Sequence, residues 1–108
     1  MSDERTPLER LVSGASAYAQ TLGIDYDRAE AGTARTRMRV TEDVRNMAGG
    51  LHGGAMHSLI DCAMGAALYT LTEPDETVAA LEIKVNYIRP VLEGSVHCDA
   101  EVIHKGRR

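Results

Sequence analysis

Residues 46–61 read NMAGGLHGGAMHSLID, a stretch in which a glycine-rich loop runs directly into an apolar helical pattern. From Met56 to Leu71, apolar residues recur with the i, i+3, i+4 spacing of one helix face. They are Met56, Leu59, Ile60, Ala63, Met64, Ala67 and Leu71. The sequence therefore predicts a loop over 46–54, followed by a central helix against which neighbouring elements pack tightly.

The segment before this stretch predicts one helix and two strands. Thr6 followed by Pro7 is typical of a helix start, and Gly23 is typical of a helix end. From Gly32 onward, small or apolar residues alternate with arginines, which predicts a strand with one solvent-exposed face. Residues 24–31 are predicted to be its hairpin partner.

Two further strands are predicted after the central helix. Residues 81–87 alternate between apolar and polar side chains, and the pattern ends at Pro90. Residues 96–102 alternate in the same way, and Gly106 is predicted to start another turn. This order favours an α+β fold, with an antiparallel β-sheet wrapped around a central α-helix, in a single domain over residues 1–108.

Composition excludes several classes of partner. The chain has a net charge of -4 and a pI near 5.5, so it lacks the basic field that attracts nucleic acids. Its apolar stretches are shorter than the roughly 20 residues that span a bilayer, and its polar start has no signal-peptide core. We therefore expect a cytoplasmic protein with neither nucleic-acid nor membrane partners. Cys62 and Cys98 lack metal-ligand spacing and are predicted to be small buried hydrophobic side chains.

The glycines before the central helix are the first candidate site. N–H groups in the first turn of a helix have no partner within the helix, and the helix dipole makes that end positive. Gly53 and Gly54 could thus hold bare N–H groups against an oxygen with partial negative charge, as an oxyanion hole does. The alternative is that the glycines only permit a tight connection. No nucleotide-binding glycine motif is present.

Asp61 is the second candidate, because aspartate is an unfavourable residue in the middle of an apolar helix. It would be a general base or nucleophile, or else a boundary carboxylate paired with His57. His52, His57 and Asp61 suggest no fourth ligand, so neither a metal nor a cofactor is predicted. Ser58 lacks the sequence context of a nucleophile, and Cys62 points about 100° away from Asp61 around the helix.

Asn46, His52-Gly53-Gly54 and Asp61, followed by "EIKVNYIRP" and "GSVHCDAEVIHKGRR", resemble the PaaI-type hotdog-fold acyl-CoA thioesterases. The resemblance covers essentially residues 20–108 and implies hydrolysis of an acyl-CoA substrate. It implies that the Gly53 N–H polarises the thioester carbonyl, that Asn46 positions substrate or water, and that Asp61 activates water or attacks directly. His52, Gly54, His57 and Ser58 are predicted to line the substrate site.

The resemblance also bears on the C-terminus. The family's last two strands would follow Arg108 and lie in the middle of the sheet. We therefore expect the domain to be truncated at its C-terminus, and the strands present to be unable to build the sheet alone.

Helix geometry adds a constraint on assembly. Gly53 and Asp61 are eight residues apart, a rise of about 12 Å along one helix. A donor and a base acting on one thioester must each lie within about 3–3.5 Å of the reacting group. We therefore predict a homodimer with active sites at the subunit interface, or a homotetramer formed as a dimer of dimers.

Three questions stay open from sequence. Arg89, Lys105, Arg107 and Arg108 are candidate ligands of the CoA phosphates, although exposed basic residues are commonly only solvated. A noncatalytic acyl-CoA-binding hotdog domain is the alternative function. Dehydration of a hydroxyacyl thioester by His57 and Asp61 is a third possible function.

Overall fold

The computed structural model describes residues 4–71, 78–87 and 93–107, with the backbone alone for 78–87 and 104–107. The helices are α1 (Pro7–Ser13), α2 (Ala17–Leu22) and α3 (Gly53–Tyr69), with a 3-10 turn at Glu42–Val44. The strands are β1 (Ile24–Glu30), β2 (Thr33–Arg39), β3 (Val78–Tyr87) and β4 (Ser95–Arg107). They form one antiparallel sheet in the order β1-β2-β4-β3. The central helix α3 packs mainly on β2 and β4, which confirms the predicted α+β fold.

The four described strands form one continuous sheet. β4 pairs with β2 along one edge and with β3 along the other, so the described strands leave no gap between them. β4 also runs through Gly106, where a turn was predicted, because Arg107 pairs with Val78 across the ladder. The predicted strand end at Pro90 lies outside the described residues.

The N-terminal segment forms two helices where the sequence predicted one. α1 begins at the predicted N-cap Thr6, which forms a capping box with Glu9, but the helix ends at Ser13 with Gly14 as its C-cap. Ser16 then starts α2, because its side chain accepts a hydrogen bond from the backbone N–H of Ala19. Gly23 ends α2 in the left-handed conformation with φ 75°, as the sequence predicted.

The hairpin of β1 and β2 turns through two residues with positive φ. Ala31 has φ 48° and Gly32 has φ 80°, which gives the primed turn that suits the twist of paired strands. The alternation predicted for β2 is confirmed, since Ala34 and Met38 are fully buried. The intervening arginines form ion pairs on the outer face, where Arg35 binds Asp99 at 2.6 Å.

Small side chains line the contact between α3 and the sheet. Ala63 and Ala67 of α3 are completely buried, as is Ala34 of β2, while Ala100 of β4 is 2% exposed. Short side chains on both surfaces allow the helix and the sheet to approach closely. Among the described residues, no helix is both long enough and apolar enough to cross a membrane.

We predict that Met38→Ala lowers the free energy of unfolding by about 2–5 kcal/mol, because truncation leaves a cavity in a packed core. Met47→Ala is the matched control, since Met47 is fully exposed, at 106%. It should change stability by less than about 0.5 kcal/mol. Urea unfolding followed by circular dichroism measures both, and equal losses would contradict the core assignment.

Candidate active site

The glycine-rich loop before α3 is closed at its base by backbone hydrogen bonds. Arg45 and Leu51 form an antiparallel bridge, and the His52 N–H donates to the Val44 carbonyl at 2.7 Å. Inside the loop, the side-chain oxygen of Asn46 accepts from Ala48 N–H at 2.9 Å and from Gly50 N–H at 3.1 Å. The Asn46 oxygen thus holds the loop together, which leaves its NH₂ group as the part that could meet a substrate or water.

Among the described residues, the N–H groups of Gly53 and Ala55 in the first turn of α3 have no acceptor, and Gly53 is the exposed one of the two. His52 is the N-cap residue, and its Nδ1 accepts from the Gly54 N–H at 2.8 Å. Gly54 therefore does not offer the bare N–H group that the sequence suggests. For the Gly53 N–H, by contrast, no hydrogen-bond acceptor exists among the described residues. Gly53 is the donor that lies free at the positive end of the helix dipole.

Gly53 is also open to a neighbour. It is exposed, and a Cβ atom added there would meet nothing within 4 Å. Its φ is not positive, so the backbone does not require glycine. Glycine at this position keeps the N–H accessible without serving the packing of its own subunit.

Asp61 lies on the solvent-exposed strip of α3, which we define as Gly53, His57, Asp61, Gly65 and Tyr69, spaced four residues apart. All five are exposed in the single subunit. Among the side chains that the structure describes, the Asp61 carboxylate has no hydrogen bond or ion pair. The alternative interpretation, a carboxylate paired with His57, is therefore wrong for this structure. The Asp61 side chain instead lies on the exposed face of α3, without an ion-pair partner among the described side chains.

Tyr26 and Cys62 form a neutral pair beside Asp61. The pKa of Tyr26 is raised to about 12, first by burial, then by its hydrogen bond with Cys62 and the charge on Asp61. Burial also raises the pKa of Cys62, so its thiol stays protonated near neutral pH. Both cysteines are free thiols, and the predicted burial is complete for Cys98 and partial for Cys62.

Ser58 is buried and already hydrogen bonded. Its hydroxyl lies 2.7 Å from the Tyr18 hydroxyl and donates to the Gly54 carbonyl at 3.0 Å. No sequence pattern indicated the contact with Tyr18, because the two residues are forty positions apart. Ser58 thus acts within the protein and does not face a substrate directly.

The remaining candidate residues are only partly described. Lys105 and Arg107 lie at the end of β4, where the structure describes the backbone alone, and Arg89 and Arg108 lie outside the described residues. Within the described part of the chain, no group of three or more His, Cys, Asp or Glu side chains could hold a metal ion. A cavity of about 640 Å³ lies between the N-terminal helices and β1, and neither Gly53 nor Asp61 lines it.

The chain is similar to proteins of one enzyme class. Residues 5–107 match the model of a family described as a domain of unknown function, DUF4442. A 1,4-dihydroxy-2-naphthoyl-CoA hydrolase from Listeria monocytogenes is 38% identical over 88 residues, which cover 82% of this chain and 72% of the relative. A protein of Saccharolobus solfataricus named "Putative esterase SSO1253" is 33% identical over 87 residues, 81% of this chain. That match spans only 57% of the longer relative.

Solved structures show the same architecture. Thioesterase HI1161 from Haemophilus influenzae superposes with a TM-score of 0.74 and 31% identity, covering 93% of this chain and 71% of that one. A mutant of the phenylacetic acid degradation protein PaaI from Thermus thermophilus superposes with a TM-score of 0.68 and 26% identity. The superposition covers 86% of this chain and 78% of PaaI.

We predict that His52→Ala lowers the free energy of unfolding by about 1 kcal/mol, because the Gly54 N–H loses its side-chain acceptor. His52→Asn should retain most of the stability, since asparagine is a favourable N-cap residue. Urea denaturation of the three proteins measures the difference. A loss as large for the asparagine variant as for the alanine variant would rule out the cap.

Proposed function

The chain belongs to the PaaI-type hotdog-fold thioesterases and to the DUF4442 family, and from this membership we propose that it hydrolyses an acyl-CoA to a free acid and CoA. One observation carries the proposal. A single helix bears an N–H at its start and a carboxylate two turns later, both exposed and both without a partner among the described residues. The first suits a developing oxyanion, and the second suits a water molecule that must lose a proton.

In this proposal, the thioester carbonyl oxygen accepts a hydrogen bond from the Gly53 N–H. The carboxylate of Asp61 removes a proton from water as the water oxygen bonds to the carbonyl carbon. The tetrahedral intermediate then collapses, the C–S bond breaks, and the CoA sulfur leaves with the electron pair and is protonated. Direct attack by Asp61, through an anhydride that water then hydrolyses, uses the same two groups.

The two groups are proposed to come from different subunits. Because α3 is one continuous helix, Gly53 and Asp61 are separated by about 12 Å and cannot reach one thioester from one chain. A two-fold axis that brings two α3 helices together in opposite directions would set Gly53 of one subunit near Asp61 of the partner subunit. The exposed strip of α3 supports this arrangement, since Gly65 also leaves open space there.

Other positions complete the proposed site. His57 lies one turn before Asp61 on the same exposed strip, where it could contact the substrate. The NH₂ group of Asn46 could position the substrate or the water. Lys105, Arg107 and Arg89 are proposed to bind the CoA phosphates, because Lys and Arg are the usual phosphate ligands.

We predict that Gly53→Pro lowers kcat about 10²- to 10³-fold, because proline removes the N–H donor. Proline fits this position, since it is favoured in the first turn of a helix, and His52 already has the extended conformation, ψ 134°, that a following proline requires. Release of CoA thiol from a panel of acyl-CoAs measures the rate.

Gly53→Ala is the matched control, because it adds a Cβ like that of proline but keeps the N–H. The ratio of the two rates therefore isolates the donor from any steric effect. Equal kcat in the two variants would remove the Gly53 N–H from the mechanism.

We predict that Asp61→Asn abolishes measurable turnover while the protein stays folded, since Asp61 is exposed and its side chain forms no hydrogen bond or ion pair with the described residues. Asp43→Asn, at another exposed aspartate, should retain full activity.

Coexpression of Asp61→Asn with Gly53→Pro should restore about one quarter of the wild-type rate, because half of the randomly formed dimers then hold one intact site. No recovery in verified mixed dimers would show that each site lies within one chain. CoA binding without thiol release by the wild-type protein would support the noncatalytic alternative.

A further inference from the structure

The two glycines at the start of α3 need external restraint if the Gly53 N–H is to point in one direction. Glycine has more conformational freedom than any other residue, and neither Gly53 nor Gly54 has a side chain to hold its peptide groups. Preorganised donors stabilise a transition state because they do not have to reorient during the reaction. Whatever fixes the peptide groups next to Gly53 therefore contributes to the proposed chemistry.

The structure holds both polar groups of Gly54. Its N–H donates to His52 Nδ1 at 2.8 Å, and its carbonyl accepts from Ser58 Oγ at 3.0 Å. The hydroxyl of Ser58 has one proton, and a carbonyl can only accept, so that proton belongs to the bond with Gly54. The Tyr18 hydroxyl, 2.7 Å from Ser58 Oγ, must then be the donor to Ser58. We call this chain of hydrogen bonds, from Tyr18 through Ser58 to Gly54, the hydroxyl relay.

Tyr18 is held in place by a short, well-anchored helix. α2 is capped by Ser16 at its start and ends at Gly23 in the left-handed conformation. The neighbouring Ala19 is only 1% exposed, whereas the side chain of Tyr18 is 62% exposed. An exposed tyrosine normally keeps its hydroxyl in water, so a short bond to a buried serine indicates a defined position.

We propose that Tyr18 is a positioning residue that orients the oxyanion donor of this enzyme. Its hydroxyl polarises and fixes Ser58, Ser58 holds the Gly54 carbonyl, and the first turn of α3 is thereby kept in the geometry that presents the Gly53 N–H. This inference rests on the proposed function, because it assigns Tyr18 to the same site. It gives α2, which contributes no group to the chemistry, a part in aligning the site.

The test is a set of hydroxyl deletions in the full chain. Tyr18→Phe should lower kcat about five- to thirtyfold and change KM by less than about twofold, because the donor is misaligned while substrate binding is retained. Ser58→Ala should have a similar effect. The double variant should be no worse than the more affected single variant, since both substitutions break the same relay.

Thr21→Val is the matched control, because it also removes a hydroxyl from α2. The Thr21 hydroxyl donates to the Ala17 carbonyl at 2.8 Å, within that helix. Its loss should leave kcat unchanged. A kcat for Tyr18→Phe within twofold of that for Thr21→Val, or an increase in KM alone, would overturn the proposal.

Amide hydrogen exchange provides a readout that does not depend on turnover. In NMR spectra, Tyr18→Phe should speed the exchange of the amides of Gly54 to Ser58 at least threefold, with no change over Ala66–Tyr69. Unchanged exchange in the first turn would overturn the hydroxyl relay even if kcat fell. If wild-type protein hydrolyses no acyl-CoA, the proposed function fails by itself, and the exchange data still decide whether Tyr18 restrains this turn.

Discussion

The close contact between α3 and the sheet determines where every group of the candidate site lies. Alanines fill this contact on the helix and on both central strands, so the helix axis lies close to the sheet and its rotation is fixed. Larger side chains such as Met38 and Leu59 then fill the space around the helix. Since one face of α3 is committed to the core, the opposite face is fixed as well, and it carries the exposed strip. The packing of small residues thus sets the direction of Asp61 as firmly as it sets that of Leu59.

Hydrogen bonding at the start of α3 selects one donor among several equivalent ones. A helix begins with N–H groups that lack partners, and most chains satisfy them with side chains or water. Here His52 satisfies Gly54, and the Gly54 carbonyl is held in turn by Ser58. Of the two first-turn N–H groups without an acceptor among the described residues, those of Gly53 and Ala55, Gly53 is the exposed one. Its neighbours are fixed and it is open, which is the combination that electrostatic preorganisation requires.

Periodic patterns predicted most of the fold, and contacts between distant residues account for what they missed. Local rules account for the burial of Leu59, Ala63 and Ala67 in α3, the arginine alternation in β2 and the left-handed Gly23, and the structure confirms these. The other residues of the predicted α3 stripe are only partly buried, and the buried Ala55, Ser58 and Ala66 were not predicted. The break between α1 and α2 was missed because Ser16 can continue a helix or cap the next one, and Ala19, buried against the core, favours the second. Gly106 was predicted as a turn from its local preference, but pairing across the ladder at Arg107 overrides that preference.

In the candidate site, too, local patterns predicted some features and contacts between distant residues determine the others. The spacing of Gly53 and Asp61 on one helix is a local property, and the two-subunit proposal follows from it. The hydrogen bond between Tyr18 and Ser58 joins residues forty positions apart, so no sequence pattern could indicate it. The same holds for Tyr26, which becomes a neighbour of Cys62 and Asp61 only when β1 packs beside α3. Sequence indicated the groups that are proposed to act, whereas the groups that contact them became visible only in the structure.

The exposed strip of α3 links assembly to chemistry. Gly65 in the middle of an exposed helix surface costs about 1 kcal/mol relative to alanine, and a Cβ there would meet nothing within its own subunit. A single subunit gains nothing from this glycine. Under the two-subunit proposal, the register that sets Gly53 opposite Asp61 of the partner subunit also sets Gly65 opposite the partner's glycine-rich loop, and a methyl group there would hold the two backbones apart. Their close approach is also what would bring Asp61 of the partner subunit within reach of a thioester held at Gly53. Gly65 thus lowers the stability of the helix on the surface where the proposed active site forms. Gly53 lies on the same surface, and the same close approach favours the absence of a side chain there.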